Sequence, residues 1–391
     1  MGEWRTVRLR DICDSVDYGL TARASADPVG PKFLRITDIV GESFDWSTVP
    51  FVKATPEQIE KYRIHSGDIV IARTGATTGY SKWISNPPDA VFASYLIRLK
   101  VSSDVDSRFV GYLLKSDQFW SYMKGVLGDK SAQPNASATT ITDAPLRIPA
   151  EKSQQQAIAR VLGALDDKIA VNERIARSCD ELRALRFVDF IQSSPSKVIE
   201  RPLSSFADFV NGRAFTKNAT GTGRMVIRIA EINSGPGGST VYNDIDVPDR
   251  HLARPGDVLF AWSGSLTVAR WFRPEAIVNQ HIFKVIPRDG LPNWLLFELI
   301  RTKLKKFQSI AADKATTMGH IQRRHLDEPV SAPADDVVSR LDSQLGPLWE
   351  RALTAEQESL TLAALRDTLL PKLMSGEIRV RDAEKAVAEA L

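Results

Sequence analysis

The sequence predicts an α+β protein written twice: two similar globular domains separated by a long antiparallel pair of helices, with a pseudo-twofold internal repeat. Three observations lead there. Gly67-Asp68-Ile69-Val70-Ile71-Ala72-Arg73-Thr74-Gly75 returns as Gly256-Asp257-Val258-Leu259-Phe260-Ala261-Trp262-Ser263-Gly264. Around it, Leu9 and Val16 match Leu203 and Val210, Arg35-Ile36 matches Arg228-Ile229, and Asp143, Pro145 and Pro149 match Asp327, Pro329 and Pro333. The matches stay in order while their offset falls from 194 to 184, as short loop deletions in the second copy would produce. Finally, each copy ends in a stretch poor in Gly and Pro, with apolar residues at steps of three and four.

These features place a first domain at 1–150 and a first long helix at 151–197. A second domain follows at 198–334, then a second long helix with a C-terminal tail at 335–391. Within the domains, Asp68–Ala72, Tyr95–Val101, Val258–Trp262 and Ile282–Ile286 are short β-branched or aromatic runs bounded by turn residues, as strands are. Helical patterns occupy Asp106–Met123 and Pro292–Ile310. The first long helix carries Ile158, Leu162, Leu165, Ile169, Ala176, Cys179 and Leu182, with one skipped register at Asn172. The second carries Leu341, Leu345, Leu348, Ala352, Ala355, Leu362, Leu365, Leu369 and Leu373. About 40 residues make a helix roughly 60 Å long, and a narrow apolar stripe on one needs a partner helix. The economical partner is the other copy, packed antiparallel, with the two domains at opposite ends of a rod.

Composition narrows the functional classes. The 391 residues are 43% hydrophobic and 25% charged, a globular balance. Apolar runs such as Ile69–Ala72 fall far short of the ~20 residues of a membrane span. No apolar run follows the charged start, so no signal peptide is expected. Cys13 and Cys179 cannot build a disulfide framework or a cysteine zinc site, which points to a reducing cytoplasm. Residues 198–334 hold 18 Lys and Arg against 13 Asp and Glu, while 335–391 hold 7 against 11. A polyanion partner for the third segment is compatible with that balance.

No catalytic constellation emerges. Asn86-Pro87-Pro88-Asp89 resembles a loop of adenine methyltransferases, but Asp89 stands where an aromatic must stack on the flipped base. Gly75–Lys82 fails the P-loop pattern because no Lys follows the second Gly. Of five histidines only His320 and His325 are close, with no carboxylate motif around them, so no metal is expected.

Recognition surface remains. In the first copy, the polar loop after the apolar strand offers Arg73, Thr74, Thr77, Thr78, Tyr80 and Lys82, and a second loop offers Lys130, Gln133 and Asn135. The second copy offers Trp262, Ser263, Ser265 and Arg270, then Lys314 and Thr316, joined by Lys305, Lys306, Gln322, Arg323 and Arg324. Such side chains reach phosphates and base edges, and their pairing at equivalent positions marks a DNA-binding face. Lys130, Lys314, Arg323 and the lysines of 301–306 suit phosphates. Gln133, Asn135, Thr77, Ser265 and Gln322 suit bases.

Two strings carry a family resemblance. One is Ile148-Pro149 with Gln154-Gln155-Gln156-Ala157-Ile158-Ala159 and Leu165-Asp166-Asp167-Lys168-Ile169; the other is Leu365-Arg366-Asp367-Thr368-Leu369-Leu370-Pro371-Lys372-Leu373-Met374-Ser375-Gly376-Glu377-Ile378. With the repeated Gly-Asp segments, they resemble the specificity subunit of type I restriction-modification systems. Asp335-Asp336-Val337-Val338 departs from the Gln-rich start usual for the second helix. The resemblance implies two target-recognition domains, each reading one half of a split, asymmetric double-stranded DNA sequence, and a chain that catalyses nothing. It implies two copies of a modification (methyltransferase) subunit docked on the helices through Gln155, Ile158, Leu162, Leu165, Ile169, Leu365, Leu369 and Leu373. Restriction subunits, up to two, join later. No cofactor is implied in this chain: S-adenosylmethionine belongs to the methyltransferase, ATP and Mg to the restriction partner. Two other readings stay open from the residues alone, a protein-interaction scaffold with twin binding domains and a standalone adenine methyltransferase using Asn86–Asp89.

Overall fold

The computed structural model describes residues 3–40, 44–128, 135–312 and 319–390. The chain forms two compact units, Met1–Asp167 with Leu362–Leu391, and Lys168–Thr361. Each unit holds one globular domain and a part of both long helices.

In the first unit an antiparallel sheet runs in the order Cys13–Tyr18, Leu96–Val101, Ile69–Ala72, Ser81–Trp83. Ile69–Ala72 is central because all four residues are apolar and fully buried, so neither face can meet water. A second sheet runs Ala24–Ser25, Phe51–Val52, Lys32–Leu34, Ala90–Phe92, its last pair parallel. Trp4–Arg8 pairs antiparallel with Pro145–Pro149 and closes the domain's two ends together. The helical pattern at Asp106–Met123 is two helices, Ser107–Leu113 and Asp117–Leu127. Ser116 breaks it: its backbone is extended (φ −78°, ψ 160°) as an N-cap requires, and its hydroxyl bonds back to Leu113.

The second unit repeats the plan. One sheet runs Ala207–Asn211, Ile282–Pro287, Val258–Ala261, Thr267–Arg270; another runs Val241–Asn243, Arg224–Ile227, Ala276–Val278, Leu252–Ala253. Val198–Pro202 pairs with Pro329–Pro333, and Asn293–Ala312 is one unbroken helix. The repeated sequence motif now has a physical reading. Gly67, Gly75, Gly256 and Gly264 all have left-handed backbones (φ 93°, 77°, 91° and 66°), so each copy is a buried strand between two turns that favour glycine. Asp68 and Asp257 close the leading turn by accepting from the amides of His65 and Arg254. The Asn86–Asp89 segment joins two strands, and Asp89 is tied to Arg63.

The long helices are Lys152–Ser193 and Asp335–Ser375, of 42 and 41 residues, and a shorter one, Val380–Ala390, follows. In both units they meet antiparallel. In the first unit Asp166 pairs with Arg366 (2.7 Å), and Ile158 lines the same cavity as Leu373. In the second, Lys168 pairs with Glu358 (3.0 Å), Ala176 packs with Ala352 and Ala355, and Arg183 lies over the Trp349 ring (4.9 Å). The skipped register at Asn172 is a buried amide with no hydrogen-bond partner among the described residues. Leu182, expected in the seam, is 43% exposed; beyond Asn172 the buried face passes to Arg183, Phe187 and Phe190.

Each domain is tied to the helices by charge. In the first unit Asp166 accepts from the Tyr112 hydroxyl (2.6 Å) as well as from Arg366, and Arg108 bonds Asp167 and the Gly163 carbonyl. Burial pushes the Asp166 carboxyl up. Lys115's charge and the bonds from Tyr112 and Arg366 outweigh burial and leave the group below the ordinary carboxylate range. Asp166→Asn is therefore expected to cost about 1.5–3 kcal/mol at neutral pH. A carboxyl held low contributes fully above its unfolded pKa, about 4, and loses that contribution as pH falls through the folded value. Urea denaturation at pH 7 and below pH 4 checks this, since the gap between wild type and variant should close in acid. A gap independent of pH would contradict the assignment.

Candidate nucleic-acid interface

The strand Ile69–Ala72 delivers Arg73 to one end of the first domain. There the Arg73 amide donates to the Tyr95 carbonyl (3.1 Å), the Ala136 amide donates to the Arg73 carbonyl (2.9 Å), and Thr74 bridges Asn135. The two polar loops expected from the sequence thus meet at a defined seam. Tyr18, ending its strand, lays its ring against the Arg73 guanidinium at 5.0 Å, and its hydroxyl accepts from the Ala138 amide (3.0 Å). Tyr18, Tyr80 and Tyr95 are 46%, 46% and 61% exposed, three large aromatics facing solvent around this seam.

The second domain reproduces the backbone and changes the side chains. The Trp262 amide donates to the His281 carbonyl (3.1 Å), the Ile321 amide donates to the Trp262 carbonyl (3.1 Å), and Ser263 bridges His320. Trp262 donates its indole N–H to Asn211 (2.8 Å), and its ring meets His281, Phe283 and His320 with centroids 5.2, 5.7 and 6.4 Å away. The two domains therefore correspond position by position: Tyr18 with Asn211, Arg73 with Trp262, Thr74 with Ser263, Tyr95 with His281, Asn135 with His320. Behind each face a glycine lets chains touch. A Cβ on Gly19 would lie 2.3 Å from the Ala93 carbonyl oxygen, and one on Gly212 would lie 2.0 Å from that of Asn279. His281 holds a left-handed backbone (φ 73°) without being glycine, a strained geometry of the kind that collects at working sites.

The other expected residues divide. Ser265, Lys305, Gln322, Arg323 and Arg324 are exposed, and Lys306 is exposed but paired with Glu328 (2.6 Å). Thr77 is half-buried in a tight turn, and Thr78 is buried with its hydroxyl bonded to Gly75. Lys82 lies over the Phe44 ring (5.0 Å). Lys130, Gln133, Lys314 and Thr316 fall outside the described residues.

Arg270, expected on the DNA face, belongs elsewhere. It is buried, with its guanidinium held by Glu356 and Asp180 and laid over Trp349 at 4.6 Å. It ends a strand on the side that meets the long helices, so its charge is spent on anchoring. The helix residues expected to meet a partner subunit are likewise internal. Ile158, Leu162, Leu165, Leu369 and Leu373 are buried, and Ile169 and Leu365 are half-buried. Gln155 staples the helix start by donating to the Pro149 carbonyl (2.9 Å) and accepting from the Asp106 amide (3.0 Å).

Tyr18, Tyr95, Asn211 and His281 are the face residues that the sequence reading did not assign to DNA. The repeat held the signal, because Tyr95 and His281 both precede an apolar strand at matching places. Among the described residues no group of three or more His, Cys, Asp or Glu is placed to hold a metal, and no helix is long and apolar enough to cross a membrane.

Comparison with known proteins agrees with this architecture. Residues 1–178 match the model of the type I restriction modification DNA specificity domain. The MjaIX specificity subunit of Methanocaldococcus jannaschii is 23% identical over 81% of this chain and 76% of its own length. The HindI specificity subunit of Haemophilus influenzae is 24% identical over 97% of this chain and all of its own. A crystal structure of the type I restriction-modification S subunit from M. genitalium shares the fold, with a TM-score of 0.58 at 14% identity over 95% of this chain and 96% of that one. A specificity domain is thus matched over the first 178 residues, its fold is repeated in the second half, and relatives that run the chain's length are specificity subunits of type I restriction enzymes.

Proposed function

We propose that this chain reads a split, asymmetric double-stranded DNA target, one half with each domain, and leaves bond-making to its partners. One observation carries the reading: matched backbone seams present different side chains, Tyr18, Arg73, Tyr95 and Asn135 in one copy, Asn211, Trp262, His281 and His320 in the other. Like scaffolds dock alike on a duplex, and unlike side chains read unlike half-sites. In this reading S-adenosylmethionine chemistry belongs to a methyltransferase subunit, and ATP and Mg to a restriction subunit. Two methyltransferase copies fit a chain whose plan is written twice. The cytoplasm, where DNA and these partners meet, is the compartment.

The partner surface is not the buried seam. Val171, Leu182, Leu185 and Val188 are exposed apolar residues along the first long helix, the largest exposure being Leu185 at 69%, and we assign them to docking. Leu185→Asp should leave folding nearly unchanged, since solvent already bathes the site, and should weaken assembly with the methyltransferase by at least tenfold. Co-purification with the methyltransferase and a gel shift of the assembled complex test both parts. Specific DNA retained against excess competitor supports the reading, whereas assembly without sequence preference would identify a scaffold. Undiminished assembly by the Leu185→Asp chain would move the docking surface elsewhere.

A further inference from the structure

We infer that Arg73 reads a guanine in the half-site of the first domain and that Tyr18 positions it. This rests on the DNA-reading proposal above. Most arginines with enclosed guanidiniums in this chain are spent on carboxylates: Arg98 on Asp17, Arg183 on Glu298, Arg270 on Asp180 and Glu356, Arg366 on Asp166. Arg73 is half-buried at the domain's loop end, yet no carboxylate pairs with it among the described residues, and its enclosed Nε bonds to nothing. Its backbone is held on both sides, by Tyr95 and Ala136, and its guanidinium lies over the Tyr18 ring. Tyr18 is fixed in turn by the bond from the Ala138 amide. The result is a planar fork of donors with no acceptor among the described residues.

Acceptors from outside must come in a shape that matches the fork. A guanine edge offers two, O6 and N7, which a guanidinium fork meets with two parallel bonds; phosphate oxygens fit the same fork, and the base-by-base test below separates the two. Exposed tyrosines around the seam leave room for base edges or sugars rather than for a second protein charge. In the second domain the equivalent position is Trp262, whose single donor is already committed to Asn211. That half-site therefore has no guanine read from the corresponding place, which gives the target a built-in asymmetry.

The test uses the complex with its methyltransferase and a randomised duplex library, scoring base preference position by position. Wild type should select guanine at one position of one half-site. Arg73→Gln should lower that preference by roughly ten- to hundredfold and leave the other half-site untouched. Arg73→Lys keeps the charge without the fork, so it should retain overall affinity yet lose the same discrimination. Tyr18→Leu should blunt the preference without changing which base is preferred, and Tyr18→Phe, which keeps the ring face, should restore most of it. A uniform fall in affinity with the guanine preference intact would make Arg73 a phosphate contact and overturn the inference, as would preferences indifferent to residue 73. A wild-type complex with no preference at any position would instead overturn the DNA-reading proposal beneath it.

Discussion

Arg183→Met is expected to lower the stability of the Lys168–Thr361 unit by about 3–5 kcal/mol. Arg183 and Glu298 are both fully buried, joined Nε to Oε1 at 2.9 Å, with Arg301 on the other carboxylate oxygen and Asp180 on the other side of the guanidinium. Removing the arginine leaves a carboxylate in the interior with one of its two partners gone, and that stranded charge is the costly part. Glu298→Gln, which leaves no stranded anion, should cost less. The double change Arg183→Met with Glu298→Met should recover part of the single loss, because no buried charge then lacks a partner. Urea denaturation followed by tryptophan fluorescence reads this directly, since Trp349 and Trp294 lie in the same core. A single substitution costing no more than the double would show that packing, not charge, holds this junction.

Phe187→Ala should cost about 3–5 kcal/mol, while Leu182→Ala, five residues earlier on the same helix, should cost under about 0.5 kcal/mol. Phe187 is fully buried and meets Trp294 edge-on at 6.4 Å in the core of the second domain; Leu182 is 43% exposed. Truncating the ring leaves a cavity that close-packed neighbours fill only partly. Thermal unfolding of the two variants side by side checks the pair. Equal losses would mean that the heptad read from Ile158 continues straight through Leu182, contrary to the observed packing.

That contrast shows where the sequence was legible. The strand Ile69–Ala72 and its copy Val258–Ala261 were readable because a short, wholly apolar run between glycines has few alternatives. Both long helices were readable because Gly and Pro are scarce and the apolar steps regular, and Asp335 begins the second despite its acidic start, a favourable placement for the helix dipole. The seam near Leu182 was not, because an apolar residue at helical spacing says nothing of which neighbour arrives; Phe187 and Trp294 captured that end of the helix. The helix break at Ser116 was hidden for a related reason, serine being tolerated inside helices and favoured at their starts.

The candidate face was partly legible. Arg73, Thr74 and Asn135 were picked out because they sit in polar loops at matched places, and the structure joins those loops. Arg270 misled because a basic residue near a loop reads as a phosphate contact until its acidic partners, distant in sequence at Asp180 and Glu356, come into view. Tyr95 and His281 were passed over because a single aromatic or histidine at a strand's start has many ordinary explanations. Only the shared backbone bonds to Arg73 and Trp262 give them a place on the face.

The most direct measurement is single-molecule sequencing of methylated adenines in cells carrying this chain and its methyltransferase, beside a chain whose residues 198–334 come from a relative of different target. The expected motif has two specified halves around an unread gap, with the exchange rewriting one half and leaving the other letter for letter. A continuous motif, or one in which both halves change together, would contradict it.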